Sequence, residues 1–478
     1  MRLNIRFTAM VFAVAVQAAA AGTYDIGEEF GKEGFWNSDP VLFVGRLAEN
    51  GFEFTSDQRE SAASRRDGGV SCFGIPVYES RVEFGAAGGI ERIELMLYAR
   101  GGTEVMKEYS GADGRKFRRL ERVDKTVSRD EFFAVLKKVR DRFASKGARQ
   151  PKAVREQADG ARQFSQTWPV PGSPARAVLT WNFRQNGKNI ASFEAGFIRL
   201  AVDGPARLKA EKKGKAASKR KSAAGAKKIV DNVIDESKGR GDVFVDNVPM
   251  VDQGQKGYCA VATAERVLRY YGVEIDEHQI AEAAGTTADG GTSTLAMKKS
   301  VEAIAKRYRL GTVVCYGDFD KSAAERISGL NDEVRVYNKA ARKLKKPVIA
   351  EDVYIRRDGS TVYYNSSAFD EAADPEVLKE MKVNGAQKSK FTKFKKDVRD
   401  QVAKGIPLFW GVRLGIYPEP GIPQTAGGHM RLIIGYNDKK NEILYTDSWG
   451  AGHELKRMPV EWAWTISRCL MFLKPLNR

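Results

Sequence analysis

The pattern of apolar and polar residues predicts two pairs of β-strands in the first half of the chain. Residues 81–84 and 90–98 flank a glycine-rich stretch and are expected to form a hairpin. Residues 178–183 and 190–202 flank a segment with an Asn-Gly pair, which strongly favours a tight hairpin turn. Each pair therefore predicts two antiparallel neighbours in a sheet.

Between these strand pairs the pattern becomes helical and predicts a helix over residues 129–143. Its apolar side chains fall on one stripe: Phe132, Val135, Leu136, Val139 and Phe143. Ser128 and Glu131 have the spacing of a capping box, in which each side chain bonds a free backbone N–H at the helix start. Strands and helix together predict a separate α+β domain over residues 22–204, in which we recognise no catalytic group of residues.

A second helical stripe begins directly after Cys259. Its apolar residues are Val261, Ala264, Val267, Leu268 and Tyr271. Gly272 is expected to end this helix, which places Cys259 at or near its first position. Unpaired N–H groups and the positive end of the helix dipole lie there and favour the thiolate over the thiol. A buried cysteine that acts only as a small apolar side chain is the alternative interpretation.

A predicted hairpin near the end of the chain carries a histidine and a carboxylate. Residues 427–436 and 442–447 have the pattern of strands, and the polar cluster between them predicts a turn. If the turn centres near Asp438, His429 and Asp447 lie directly opposite each other, with Cβ atoms roughly 4.5–5.5 Å apart. The carboxylate could then accept the imidazole N–H and select its tautomer.

Gln253 lies six residues before Cys259, in a polar turn region. An amide N–H₂ at this place could join the backbone N–H of Cys259 in an oxyanion hole. A surface turn residue is the alternative interpretation of Gln253.

The other histidines and cysteines of this half fit structural roles better. His278 is expected on an exposed helix face among acidic residues, and His453 in a loop. Cys315 and Cys469 lie in short apolar runs and are expected in core strands.

Taken together, these motifs resemble those of the papain-like cysteine peptidases, and more narrowly the bacteriocin-processing double-glycine peptidases and their peptidase-like relatives. The resemblance covers about half of the chain, from Val243 onward, and includes the Gly-Gly-His and Tyr-Thr-Asp-Ser-Trp-Gly sequences around His429 and Asp447. Residues 396–412 are similar to the helix, Gly-x-Pro turn and strand that precede the histidine. The charged stretch 318–390 resembles an insertion, and no transporter domain is expected with this peptidase-like segment.

The resemblance implies a role for each residue of the site. Cys259 would be the nucleophile, His429 the general base and acid, and Asp447 the carboxylate that orients the imidazole. Gln253 would donate to the oxyanion, with Gln255 as the alternative donor. The implied fold is a papain-like α+β domain over residues 241–478, in which the cysteine-bearing helix packs against a small antiparallel sheet.

The first residues have the layout of a secretory signal peptide. Two arginines precede an apolar run, and Ala19 and Ala21 stand at the small-residue positions of a cleavage site before Gly22. We therefore expect residues 1–21 to be removed and the protein to be exported to the periplasm, the cell surface or the medium. An uncleaved anchor helix is the alternative interpretation.

Charge separates the two halves of the chain. Lys and Arg number 79 and Asp and Glu 61, a net charge of +18. Half of this excess lies in residues 207–228, which contain no aromatic residue. Such a composition predicts a flexible linker over residues 205–240. It could also tether the protein to an anionic cell-surface polymer, whereas sequence-specific nucleic-acid binding is not expected without aromatic stacking partners.

Composition narrows the function further. Four cysteines without a Cys-x-x-Cys motif and three histidines predict neither a metal site nor a cofactor. We therefore predict an exported cysteine peptidase or related amide hydrolase that acts on a peptide or protein substrate. A non-catalytic secreted binding or adhesion protein on the same fold is the alternative.

Overall fold

The structure is a computed structural model. It describes residues 23–476 apart from 33, 65–68, 86–87, 100–102, 111–115, 124–126, 145–150, 159–160, 186–192, 218–228, 254–257, 274–279, 281–293, 318, 320–322, 359–360 and 423–426. The predicted signal peptide, His278 and Gln255 lie outside the described residues.

The first part of the chain alternates strands with a few helices. Its strands are β1 (Tyr24–Asp25), β2 (Phe52–Phe54), β3 (Ser61–Ser64), β4 (Val70–Cys72), β5 (Ile75–Pro76), β6 (Glu79–Phe84), β7 (Ile90–Ala99), β8 (Thr103–Ser110), β9 (Lys116–Val123), β10 (Val154–Ala158), β11 (Ala161–Pro169), β12 (Arg176–Arg184) and β13 (Glu194–Asp203). Its α-helices are α1 (Pro40–Arg46), α2 (Arg129–Phe143) and α3 (Pro205–Ala217), and 3₁₀ helices span Ile26–Glu29, Phe35–Asn37 and Ala48–Asn50.

Most of these strands form one antiparallel sheet. In the described residues its order is β10-β11-β12-β13-β7-β6-β3-β2, and it includes both predicted strand pairs. Helix α2 begins and ends as predicted, and Ser128 and Glu131 form the capping box. It packs on β13 and buries Phe132, Leu136, Val139 and Phe143 against one face of the sheet, so this half is α+β as expected.

The second part of the chain contains longer helices and a second sheet. Its strands are β14 (Val233–Asp235), β15 (Asp242–Val245), β16 (Leu310–Tyr316), β17 (Ile355–Asp358), β18 (Thr361–Tyr364), β19 (Leu408–Leu414), β20 (Gly427–Asn437), β21 (Glu442–Thr446), β22 (Lys456–Pro459) and β23 (Ser467–Pro475). Its helices are α4 (Cys259–Tyr270), α5 (Thr294–Arg307), α6 (Ala323–Lys343), α7 (Glu351–Tyr354), α8 (Ser366–Ala372), α9 (Pro375–Lys379), α10 (Lys388–Val402) and α11 (Val460–Ile466), and a π-helical turn spans Glu380–Asn384.

The sheet of the second part is antiparallel, as predicted, but larger than expected. Among the described residues it has eight strands, in the order β14-β15-β20-β19-β23-β16, with β21 paired to β20 and β22 to β21. The additional width comes from β14 and β15, which precede the cysteine helix, and from β23 near the end of the chain. Helix α4 packs on β20, so the cysteine and histidine elements are direct neighbours.

The structure corrects the extent of the predicted flexible linker. Helix α3 occupies residues 205–217, and β14 pairs with β15 beyond residue 228. Arg207 explains part of the difference, because its guanidinium pairs with Asp203 and Glu83 instead of remaining in solvent. The middle of the predicted linker, residues 218–228, lies outside the described residues.

Two clusters of buried apolar side chains form the interior of the described chain. One contains side chains from residues 26–202, and the other contains side chains from residues 229–473. In the part of the chain that the structure describes, no helix is both long enough and apolar enough to cross a bilayer.

Replacing Leu136 with alanine should destabilise the first of these clusters. The side chain is fully buried on α2, so its loss should lower the free energy of unfolding by about 2–5 kcal/mol. Chemical denaturation measures this change. Leu42→Ala is the matched control, since Leu42 also lies on a helix but is 74% exposed, and an equal loss in both variants would contradict the packing described for α2.

Candidate active site

Helix α4 places Cys259 where the sequence predicts it. Cys259 is the first helical residue, after Tyr258, and Gly272 takes a positive φ of 76° directly beyond the C-terminal end. Ten of the twelve residues of this helix are buried, so it lies in the interior of the protein with only its N-terminal end available for chemistry. The Cys259 thiol is therefore held at the positive end of a helix that is packed on its other sides.

The imidazole of His429 and the carboxylate of Asp447 form a buried pair. Nε2 of His429 and Oδ1 of Asp447 lie 2.6 Å apart, and both side chains are fully shielded from solvent. The other ring nitrogen, Nδ1, has no oxygen or nitrogen partner among the described residues. It is the nitrogen left for the Cys259 thiol, which interacts with this ring.

The register that brings these two residues together differs from the predicted one. The hairpin turns between Asn437 and Glu442, and the pairing shifts by one residue at Ile434. Asp447, one residue beyond β21, consequently aligns with Arg431 and not with His429. The predicted direct opposition is thus wrong by two residues, but an even offset leaves both side chains on the same face of the sheet.

The shift at Ile434 decides which face Asp447 points to. On the turn side of Ile434, Gly435 pairs with Leu444, and on the other side Ile433 pairs with Tyr445. If the register next to the turn continued without the extra residue, Asp447 would align with Leu432. The side chain of Leu432 points to the other face of β20. A β-bulge in this hairpin is therefore what brings the carboxylate to the imidazole.

The electrostatics of Cys259 and His429 favour a thiolate–imidazolium pair. Burial alone would lower the pKa of His429, but hydrogen bonds with Asp447 and Cys259 outweigh burial and raise this pKa to about 9. For Cys259, burial acts to raise the pKa. The hydrogen bond and positive charge of His429 overcome that effect, together with backbone N–H groups, and the pKa falls below the ordinary thiol value.

Cys259 is the exception among the four cysteines, all of which are described and free of disulfide bonds. Burial raises the pKa of Cys72 well above the ordinary value, and it raises that of both Cys315 and Cys469 to about 12. Cys469 is buried in β23 as predicted, whereas Cys315 is only partly buried on β16. Cys259 is thus the one of the four cysteines whose surroundings favour the thiolate.

Trp449 covers the histidine. Its ring is stacked on that of His429, with centroids 4.1 Å apart and planes inclined by 9°. His453 meets Trp449 edge-on at 5.6 Å, and the carbonyl of His453 accepts a 3.0 Å hydrogen bond from the N–H of Asp447. His453 lies in a turn as predicted, but this turn holds two members of the site.

Gln253 is buried and held by the residue that follows Asp447. Its backbone N–H donates to the carbonyl of Ser448, and its Oε1 accepts from the Ser448 hydroxyl, each over 2.7 Å. Since the hydroxyl fixes the amide oxygen, the N–H₂ end of the side chain points away from Ser448. The burial of Gln253 excludes its interpretation as a surface turn residue.

Arg266 links the cysteine helix to the aspartate turn, a role that the sequence analysis missed. This fully buried side chain donates to the carbonyls of Asp447 and Pro249 and to the Thr446 hydroxyl, over 2.7–2.8 Å. Burial lowers the pKa of Arg266 to about 10. A signal was present, because an arginine seven residues after Cys259 lies on the same face of the helix as the cysteine.

Arg431 is a second buried arginine that the sequence analysis missed. Its Nε lies 3.1 Å from Oδ2 of Asp447, and its Nη1 lies 2.9 Å from a carboxylate oxygen of Glu419. Glu419 also accepts from the hydroxyl of Tyr445, whose ring lies under the guanidinium at 4.7 Å. The sequence signal was the position of Arg431 two residues after His429, on the same face of the predicted strand.

No group of three or more His, Cys, Asp or Glu side chains in the described ranges is arranged to hold a metal ion. What the arrangement does provide is a thiol with a lowered pKa next to an imidazole that can carry a proton.

Comparison with known families confirms the predicted resemblance. Residues 245–352 and 334–470 match the model of the Peptidase_C39 like family. No functionally curated protein shows significant similarity to the chain. The family match supports a cysteine peptidase.

Two solved structures are among those similar to this chain. The peptidase domain of Streptococcus ComA, a bifunctional ABC transporter involved in quorum sensing, is 13% identical, and the match covers 48% of this chain and 99% of that one, with a TM-score of 0.23. Xylellain, a cysteine protease from Xylella fastidiosa, is 14% identical, and the match covers 52% of this chain and 89% of that one, with a TM-score of 0.22.

At about pH 6, iodoacetamide should alkylate Cys259 alone among the four cysteines. The lowered pKa of Cys259 increases its thiolate fraction at a given pH, whereas the three raised pKa values keep the other thiols protonated. Peptide mass mapping measures the labelled fraction at each site. His429→Ala should slow the reaction at this pH, because it removes the main group that lowers the pKa of the thiol. Equal labelling of all four cysteines would contradict the pairing of Cys259 with His429.

Replacing Arg431 with methionine should destabilise the fold strongly. The change removes the cation beside the buried Glu419 and leaves Asp447 with His429 alone, which should lower the free energy of unfolding by about 3–5 kcal/mol. Arg335→Met is the control, since Arg335 is 78% exposed and its surface ion pair with Asp332 should contribute at most about 1 kcal/mol. Chemical denaturation compares the two, and similar losses would show that Arg431 does not neutralise the site.

Proposed function

We propose that the segment that matches the Peptidase_C39 like family, residues 245–470, acts as a cysteine peptidase or a related amide hydrolase. The observation that carries this proposal is the meeting of Cys259, at the N-terminal end of a buried helix, with an imidazole that Asp447 binds through its other nitrogen. In this proposal Cys259 is the nucleophile, His429 the general acid and base, and Asp447 the orienting carboxylate.

In the first step, the Cys259 thiolate attacks the carbonyl carbon of the scissile amide, and a carbon–sulfur bond forms. The carbonyl oxygen becomes a tetrahedral oxyanion, which the backbone N–H of Cys259 and the side-chain amide of Gln253 stabilise. Support for Gln253 comes from the hydroxyl of Ser448, which fixes its amide oxygen and so orients its nitrogen.

The intermediate then collapses, and the carbon–nitrogen bond breaks. The His429 imidazolium gives its proton to the departing amine, which leaves a thioester on Cys259 and a neutral imidazole. A water molecule next loses a proton to His429 and attacks the thioester. The carbon–sulfur bond breaks, a carboxylic acid is released, and the thiolate–imidazolium pair is restored.

The pKa shifts suit this cycle. A pKa of about 9 keeps His429 protonated at neutral pH, as the acid step requires, and Asp447 and Arg431 hold the ring in place during both proton transfers. The His429 side chain is fully buried, with Trp449 stacked on one face of its ring, so bulk water is kept from the imidazole.

We place the protein outside the cytoplasm on the basis of the signal-peptide layout of residues 1–21, with a peptide or protein as substrate. The basic residues of 207–228 would provide an electrostatic attachment to anionic cell-surface polymers.

Replacing Cys259 with alanine should abolish both casein cleavage and labelling by a thiol-reactive acyl probe. Alanine removes the nucleophile but fits the helix start, so the thermal melting temperature should change little. Cys315→Ala is the matched control and should keep full activity, because Cys315 lies on β16 away from the site. Undiminished cleavage by Cys259→Ala would overturn the proposed function, and labelling of the wild-type protein without any cleavage would favour a non-catalytic binding protein.

A further inference from the structure

The outer face of the cysteine helix is polar in sequence but buried in the structure. Glu265 and Arg269, one turn apart on α4, point away from β20, and the side chain of Glu265 is only 2% exposed. Two charged side chains on the outside of a helix would normally face water. The burial of Glu265 and the partial burial of Arg269 mean that another part of the molecule covers the helix.

The covering part belongs to the N-terminal sheet. Glu83, on β6, accepts a 2.8 Å hydrogen bond from Arg269, and Arg81 of the same strand lies 3.5 Å from Glu265. Arg269 also pairs with Glu265 at 3.1 Å and Arg81 with Glu83 at 3.9 Å, so the four side chains form a closed ring of alternating charge. The strand β6 and the helix α4 each contribute one positive and one negative side chain, and each charge has a partner of opposite sign across the contact.

The N-terminal sheet carries this charge on one face only. Along β6, Val82 and Phe84 point to the apolar cluster under α2, so Arg81 and Glu83 point to the opposite face. The neighbouring strand β7 repeats the pattern, with Arg92 and Glu94 on the charged face. A charged sheet face of this kind is complementary to a charged helix face but not to an apolar one. This complementarity makes the contact specific.

A second contact reaches the turn that holds the aspartate. Asp57, in the loop after β2, accepts from the N–H of Gly452 over 3.0 Å, and the N–H of Asp57 donates to the carboxylate of Glu454 over 2.7 Å. Between them lies His453, whose carbonyl accepts from the N–H of Asp447 and whose ring contacts Trp449. The N-terminal loop thus binds the turn that orients both Asp447 and the ring stacked on His429.

The two contacts act on the two separate halves of the site. The charged ring binds the helix that carries Cys259, and Asp57 binds the turn behind His429 and Asp447. We propose that the N-terminal part of the chain, residues 23–204, is a positioning domain that holds these two elements in register, so that the thiol meets the imidazole only while the two parts are docked. This inference rests on the proposed function, because it takes the Cys259–His429 pair as the reacting centre.

Other roles for residues 23–204 predict different changes in the reactivity of Cys259. An inhibitory pro-region would restrain the site, so loosening it would raise the reactivity of Cys259. A binding or anchor domain would leave that reactivity unchanged. A positioning domain requires that loosening lowers it, since an unpaired thiol returns toward its ordinary pKa.

The test measures the rate of Cys259 alkylation against pH in the full-length protein and reads the pH midpoint. Glu83→Lys places a positive charge against Arg269, Arg81 and Arg207. Asp57→Ala removes the acceptor for Gly452 at an exposed position. Each variant should slow alkylation at about pH 6 by about fivefold or more and move the midpoint upward. Partial unfolding would reduce the labelled fraction without moving the midpoint of the folded molecules.

Matched variants separate positioning from general damage. Adding Arg269→Glu to Glu83→Lys restores one attraction across the contact and should recover part of the loss. Asp57→Asn keeps an oxygen acceptor for Gly452 and should behave nearly as the wild type. Lys137→Glu, in an exposed ion pair on α2, should stay within about twofold of the wild-type rate.

The outcomes distinguish this inference from the proposed function. If the wild-type pH midpoint is low and does not move in Asp57→Ala, the positioning role is overturned, whatever Glu83→Lys shows. The peptidase proposal then still stands. A midpoint that moves downward in either variant also overturns the positioning role, in favour of inhibition. A wild-type midpoint at the ordinary thiol value overturns the proposed function and this inference with it.

Discussion

The candidate site depends on one buried carboxylate. Asp447 has no solvent-exposed side-chain area, and removing such a charge from water costs several kcal/mol unless opposite charges and hydrogen bonds replace the lost hydration. His429 and Arg431 supply the positive charge, and together they hold the pKa of Asp447 below its usual value against the effect of burial. Arg266 binds the backbone carbonyl of the same residue from the cysteine helix. The positions of helix, strand and turn therefore follow from the need to surround one anion.

This arrangement explains why the imidazole has a defined direction. Its Nε2 is committed to the carboxylate, its face is covered by Trp449, and only Nδ1 remains for the thiol. Arg431 binds the same carboxylate as His429. Asp447 therefore stabilises the imidazolium less than it would if Arg431 were absent. A balance of this kind keeps the proton on the ring but does not prevent its transfer.

The parts of the fold with strong local signals were predictable. Helix α2 has its apolar stripe and capping box within sixteen residues, and α4 has its stripe and terminal glycine, so neither needs distant partners to be recognised.

For His429 and Asp447, the sequence could predict that the two side chains lie on the same face of the sheet, but not how they are aligned. Their register depends on a bulge at Ile434, which no alternation of residues signals. Arg266 and Arg431 were missed for a related reason: a charge in an apolar stripe indicates a buried partner without indicating which one. The helix over residues 205–217 was missed because its composition alone suggested disorder, whereas ion pairs of Arg207 with the preceding sheet hold its start.

The bulge in the β20–β21 hairpin also limits how this region can change in length. Deleting or inserting one residue between Ile433 and Thr446 would rotate Asp447 to the reverse side of the sheet and place Ser448 or Thr446 opposite Arg431. A change of two residues would preserve the side and alter only the distance along the strand. Natural variants and engineered loop grafts at this turn should accordingly tolerate even-numbered changes in length far better than odd-numbered ones.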